Sequence, residues 1–289
     1  TRALSLVRDH PGTKVDFSYS EEQQMLQDSV QKFVQRHYSF DDRNAILASP
    51  KGYSEECWSL FAELGWLTVP YSEDDGGFGG LATDLMVLME EFGKAMVVEP
   101  FVPTAVLGGG IIAALGDAAQ KEPLLSAVME GQLQLACGLY EADGRYNLAN
   151  VATSAKREGD EYLVSGEKIL VLNGAEAAQL LVSVRTSGEQ RDASGVSVLL
   201  IDSSSAGVHK QQYTTVDGHK AAQIRFDNVR VPAANLIGSE GAALVAIEKA
   251  VDKATLCVSA EAVGALDTLL QKTVEYSKTR KQFGTPIAA

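Results

Sequence analysis

The spacing of apolar positions changes twice along the chain. From about Phe17 to Gln134 they recur at helical intervals. The stretch "SEEQQMLQDSVQKFVQRH" sets Ser20 and Gln23 in capping-box spacing, then places Met25, Leu26, Val30, Phe33 and Val34 on one stripe. "SEECWSLFAELGWLTVP" repeats the plan, with Ser54 as N-cap, Trp58, Phe61 and Leu64 facing inward, and Gly65 as the stop. Further helical runs are Leu81 to Gly93, Pro103 to Leu115 and Glu122 to Glu130.

From about Leu135 to Gly238 short alternating runs replace the helical period, and Glu158-Gly159-Asp160 supplies a turn between two of them. After Gly238 helical spacing returns for some forty residues without Pro or a turn cluster. That predicts one long helix or two stacked ones, whose apolar positions need partners. The predicted fold class is α+β multidomain. A leader or tag-like segment (1–16) precedes an N-terminal all-α domain (17–134), a middle antiparallel β domain (135–238) and the start of a C-terminal helical bundle (239–289). The chain lacks an initiator Met, so it is expected to begin inside a gene product or after a tag, and to continue past Ala289.

Composition narrows the function. A net charge of −13 argues against a general nucleic-acid binder but not against a phosphate-bearing small ligand. Cys57, Cys137 and Cys257 show no zinc or disulfide spacing and read as small buried residues in a reducing cytoplasm. No stretch is apolar enough for a signal peptide or a membrane span. His10, His37, His209 and His219 show no metal spacing, so no metal is expected. "DDGGFGGLATD" lacks the Walker lysine and the GxGxxG spacing, and reads as a turn entering a helix. The tail "YSKTRKQFG" is basic and ends on an aromatic, in an otherwise acidic chain.

From about Phe17 onward the chain resembles the acyl-CoA dehydrogenase family of flavoenzymes. The segments that carry the likeness are "EEQQMLQDSVQKF", "LGWLTVPYSEDDGGFGG", "EEFGKAM", "GDEYLVSGEKILVLNG", "FDNVRVPAANLIG", "AEAVG" and "YSKTRKQFG", in that order. The resemblance implies FAD, an acyl-CoA substrate, an electron-transfer flavoprotein-type acceptor, and a glutamate that removes the α-proton while the β-hydrogen leaves as hydride. It implies roles in fatty-acid or steroid side-chain catabolism, and it implies that Arg280, Gln282 and Phe283 reach a partner subunit's FAD.

This chain departs from the family at its own flavin positions. The family's T-E-P-x-x-G-S-D falls on Tyr140 to Asn147, directly after Leu139, and Glu141 persists. Tyr140 stands for the small Thr, and Arg145 and Tyr146 for Gly and Ser. The aromatic and the hydroxyl of W-I-T-N become Leu170 and Leu172. Ala254 occupies one family position of the catalytic glutamate, the other lying beyond Ala289; Glu261 matches neither and reads as a helix-surface or bundle residue.

"E-x-x-x-R-Y-N-L" with "VLNGAEAA" resembles small subunits of heteromeric acyl-CoA dehydrogenases, the pimeloyl-CoA kind among them. Three readings stay open. The chain is a subunit completing a heteromeric enzyme, or a homo-oligomer with its base beyond residue 289, or a non-enzymatic acyl-CoA-binding scaffold. The run from Phe101 to Leu115 is expected to line the acyl cavity, with the glycines at 108–110 leaving room for a bulky or long chain.

Overall fold

The computed structural model describes residues 18–288; the segment expected as a leader lies outside them. Helix α1 (Glu21–His37) opens on the predicted capping box. Ser20 Oγ accepts from the Gln23 amide at 3.2 Å, and the Ser20 amide donates to the Gln23 side chain at 3.1 Å. Val30 and Phe33 are buried, but Met25 is 65% exposed. Five residues at about 100° each turn Met25 about 140° away from Val30, beyond the stripe that reaches the core. A second capping box, at Ser39 and Asp42, opens α2 (Phe40–Ala48).

Ser54 caps α3 (Glu55–Glu63), whose Trp58 and Phe61 point inward. Leu64 sits one residue past the helix and is 45% exposed, so it is not the inward residue expected of it. Helix α4 (Ala82–Ala95) follows, then a π-helical segment (Val102–Gly108) that runs into α5 (Gly109–Leu115), and α6 (Ala118–Met129).

An aromatic chain ties these helices together. Phe61 lies 5.0 Å from both Trp66 and Phe92, and Phe92 lies 5.6 Å from Phe101 in an edge-on pair.

The strand region holds β1 (Leu135–Gly138), β2 (Ser154–Glu158), β3 (Glu161–Leu172), β4 (Gln179–Arg185), β5 (Val196–Asp202), β6 (Val208–Thr214), β7 (Lys220–Pro232) and β8 (Leu236–Ile237). They form one sheet in the order β6-β7-β3-β2-β4-β5-β8, with β1 sharing an edge of β4. Pairing is antiparallel apart from β1 and β2 against β4. The β2–β3 hairpin turns at Gly159, as its sequence predicts. One sheet face packs on the helices, through Leu181, Val196 and Val198; the other closes over Tyr162, Val164, Ile224 and Phe226.

The last forty residues resolve into one helix, α7 (Leu244–Thr279), followed by a short hairpin of β9 (Lys281–Gln282) and β10 (Thr285–Pro286). Helices α4 and α7 cross where glycines let their backbones touch. A Cβ on Gly93 would fall 1.9 Å from the Glu261 carbonyl oxygen, and one on Gly264 would fall 1.8 Å from that of Glu90. Beyond this crossing, Val263, Leu266, Leu269, Leu270 and Tyr276 stay exposed, so among the described residues nothing covers this apolar face. No helix in residues 18–288 is long and apolar enough to cross a membrane.

Candidate functional site

Three elements converge on a cavity of about 240 Å³. Met89 and Phe92 of α4 and Val258 and Glu261 of α7 form one side. The turn from Val97 to Pro103 and the loop at Lys51 to Tyr53 form the next. Leu172 and Asn173 at the end of β3, with Asp217, His219 and Lys220 of the β6–β7 connection, close the third.

The rim is braced. Arg43 of α2 donates to the Met96 carbonyl at 2.8 Å and to the Asp217 carbonyl at 2.9 Å, holding the helical and strand regions together. Lys220 lays its stem across Gly52, where a Cβ would sit 2.8 Å from Lys220 Cγ and where φ is +71°. Glycine meets both demands there.

The glycines at 108–110 do not enlarge this cavity. Cβ atoms on Gly108 and Gly109 would meet Leu135 and the Tyr71 hydroxyl at 2.8 and 1.9 Å, so these positions are small because neighbours fill the space. Of the run from Phe101 to Leu115, only Phe101, Val102 and Pro103 line the cavity.

Three carboxyls line it, and one of them, Asp217, lies 3.3 Å from His219 Nδ1. Glu99 is 4% exposed and already satisfied: it accepts the Tyr38 hydroxyl and, at 3.2 Å, the Ser54 amide. Burial nonetheless pushes its carboxyl above the ordinary range. Glu261 has no hydrogen-bond or ion-pair partner among the described residues, and burial, then the nearby Asp217 charge, pushes it up to about 7. The sequence reading made Glu261 a helix-surface or bundle residue; the structure puts it in the cavity wall. The signal was available in its spacing from Ala254 and Val258, since residues three and seven apart share a helix face.

A carboxyl with its folded pKa raised holds a proton that the unfolded chain has released, so its stabilising contribution is full below pH 4.5 and lost as pH rises to about 7. Glu261→Gln should therefore be more stable than the wild type at pH 7.5, by about 1–2 kcal/mol after allowing for partial exposure. The gap should close by pH 4.5. Urea denaturation of both proteins at the two pH values checks this, and a pH-independent gap would contradict it.

The predicted flavin positions lie where β1 runs out and β3 ends. Ile169 donates to the Tyr140 carbonyl at 2.9 Å, which brings the two altered motifs side by side. Leu139 is buried in the core at 2% exposure, so its side chain does not face this edge. Tyr140 is half-buried, whereas Tyr146 is 93%, Leu170 51% and Leu172 38% exposed. Arg145 and Leu170 both adopt left-handed backbone, φ +48° and +53°. Arg145, where the resemblance places a glycine, thus adopts a backbone conformation that its side chain disfavours. Ile169 and Leu170 together oppose Gln223 in a bulge between β3 and β7.

Beneath this edge the polar groups are already used. Glu141 accepts the Ala152 and Thr153 amides at 2.8 and 3.0 Å and the Lys168 ammonium at 2.7 Å. Lys168 also donates to Ser183 at 3.0 Å. Burial alone would raise the Glu141 carboxyl, but Lys168 and the two amides hold it below the ordinary range; burial pushes Lys168 down to about 8. The edge thus offers an isoalloxazine ring apolar surface from Leu170 and Leu172 but no hydroxyl at position 172, and the bulky Tyr140 and Tyr146 in place of small residues. These residues do not fit a flavin held in the family's manner.

The tail positions stand apart from this edge. Arg280 ends α7, its amide bonded to the Tyr276 carbonyl and its own carbonyl accepting from Ile287 at 2.9 Å, so the hairpin is folded back on the helix. The side chains of Arg280 and Gln282 are exposed, and Phe283, at φ +52°, is fully exposed. Cys57, Cys137 and Cys257 are free and buried, and burial raises each thiol. Among the described residues no group of His, Cys, Asp and Glu could hold a metal.

Comparison with known proteins gives consistent matches. The pattern of the acyl-CoA dehydrogenase N-terminal domain matches residues 20–132, and that of the middle domain matches residues 136–229. Acyl-CoA dehydrogenase FadE12 of Mycobacterium tuberculosis is 30% identical over 96% of this chain, which spans 72% of that protein. Among solved structures, butyryl-CoA dehydrogenase from Megasphaera elsdenii superposes with a TM-score of 0.84 at 26% identity, covering 94% of this chain and 73% of that one. The steroid ACAD Tcur3481-Tcur3483 gives a TM-score of 0.80 at 29% identity, covering 93% and 70%.

Proposed function

This chain belongs to the acyl-CoA dehydrogenase family, FAD-dependent oxidoreductases acting on CH–CH bonds, and on that premise we propose that it is one chain of a heteromeric enzyme acting on an acyl-CoA thioester. Its own flavin positions are altered, while Arg280, Gln282 and Phe283 serve the FAD of the neighbouring chain. The division into units at 17–134, 135–238 and 239–289 belongs to the same reading.

The observation that carries it is the contrast between the two places. At the chain's own edge, Tyr140, Arg145, Tyr146, Leu170 and Leu172 fail to offer the ring its contacts. At the tail, a bare phenylalanine sits three residues from a guanidinium that has no partner among the described residues, at the tip of a hairpin folded back on α7. An exposed aromatic beside an arginine suits a partner that brings a planar ring and a pyrophosphate. A similar steroid ACAD bears the paired designation Tcur3481-Tcur3483.

In this role the chain holds and shapes. Arg43 braces the cavity rim, Phe92 and Phe101 keep the acyl end dry, and the α-proton is removed by a glutamate supplied elsewhere than Ala254. An electron-transfer flavoprotein-type acceptor and a reducing cytoplasm complete the proposal, the latter supported by three free cysteines.

Arg280→Ala should weaken flavin retention in the assembled enzyme by about tenfold to a hundredfold, the worth of a charge-assisted hydrogen bond. The flavin-to-protein ratio after gel filtration reads this directly. Unchanged FAD content would remove the cross-interface role. A yellow protein near one flavin per chain, purified without a partner, would favour a homo-oligomer instead.

A further inference from the structure

On the reading that this cavity receives the acyl group, we propose that the substrate is a hydroxylated acyl-CoA, whose hydroxyl is held by Glu261. The charged groups around the cavity are not equivalent. Glu99 is satisfied by Tyr38 and the Ser54 amide, Lys51 pairs with Glu55 at 2.5 Å, and Asp217 lies 3.3 Å from His219 Nδ1. Glu261 and Lys220 alone among these lining groups have no side-chain partner among the described residues.

A plain alkyl tail would strip water from both and return no hydrogen bond, the condition under which a buried polar group opposes binding. A carboxylate on the acyl group would meet Glu261, Glu99 and Asp217. An ammonium would meet Lys220. A hydroxyl both donates and accepts, so it satisfies Glu261 in either protonation state.

The cavity's size limits the distance. At about 30 Å³ for each water-sized group, a volume of about 240 Å³ holds roughly eight. The hydroxyl therefore sits within about eight heavy atoms of the cavity mouth. Apolar walls at Met89, Phe92, Phe101 and Val258 receive the carbons between. A site built to bond a hydroxyl discriminates strongly against the analogue without one, which makes Glu261 a specificity-determining residue.

Isothermal titration of the full chain with octanoyl-CoA, and with octanoyl-CoA thioesters hydroxylated singly at carbons 5 to 8, tests this. At least one hydroxylated thioester should bind about tenfold tighter than octanoyl-CoA or better. Glu261→Leu should reverse the preference, with plain octanoyl-CoA gaining affinity. Glu261→Gln, which keeps the hydrogen bond and disturbs packing least, should keep the preference and make it insensitive to pH between 6 and 8. Equal affinities in the wild type, or a preference that survives Glu261→Leu, would overturn the inference while leaving the acyl-CoA reading intact. Failure of every thioester to bind would overturn both.

Discussion

Lys168→Met should destabilise the protein by about 3–5 kcal/mol, the largest single effect expected here. Lys168 is completely buried, and its ammonium is the countercharge for Glu141, which is 8% exposed. Removing it leaves a carboxylate facing two backbone amides with no cation, and a serine hydroxyl that loses its donor. Glu141 is held ionised below the ordinary carboxylate range, so its contribution is present at neutral pH and lost as acid protonates the carboxyl; burial pushes Lys168 down to about 8, so the ion pair also dissolves as alkali discharges the ammonium.

Urea denaturation at pH 7 measures the loss. Adding Glu141→Leu should recover much of it, because an apolar pair of similar volume removes the stranded charge. An unchanged midpoint in Lys168→Met would mean that the network contributes nothing. The functional consequence is local: Lys168 precedes Ile169, whose amide ties Tyr140 to β3, so the variant should also loosen the edge that carries Leu170 and Leu172.

The second large effect is at the helix crossing. Gly264→Ala puts a methyl 1.8 Å from the Glu90 carbonyl oxygen and 3.1 Å from the Lys94 amide, both backbone atoms that cannot swing aside. Helices α4 and α7 must part, at a cost of about 2–3 kcal/mol. Since Met89 and Phe92 on one helix and Val258 and Glu261 on the other form a cavity wall, acyl-CoA affinity should fall with stability. Gly110→Ala is the control. Its added methyl comes only within 3.9 Å of Ala250, and the substitution should be neutral or stabilising by about 0.5–1 kcal/mol. Thermal unfolding of the two variants separates the cases; equal midpoints would contradict the crossing geometry.

Much of this molecule is written in local sequence. Ser20 with Gln23, Ser54, Gly65 and the Glu158-Gly159-Asp160 turn act on residues a few positions away, so spacing alone predicts them. The change of period near Leu135 and Gly238 marks where hydrogen bonding passes from within one segment to between segments and back. The ordered motifs ending in "RKQFG" place the chain in its family, and the replacements at Tyr140, Arg145, Tyr146, Leu170 and Leu172 are visible residue by residue.

Only the tertiary structure decided the rest. Met25 and Leu64 belong to apolar patterns yet face outward, because a pattern does not say how wide a stripe its neighbours cover. Gly108 and Gly109 suggested open space, but the space is taken by Leu135 and Tyr71, residues distant in the chain. Glu261 read as a helix-surface or bundle residue; the crossing of α7 on α4 puts it in the wall of a cavity that Lys220, some forty residues away, also lines. Caps and turns depend on neighbours in sequence; a cavity depends on which segments meet, and that is settled by packing long-range partners rather than by the residues at either wall.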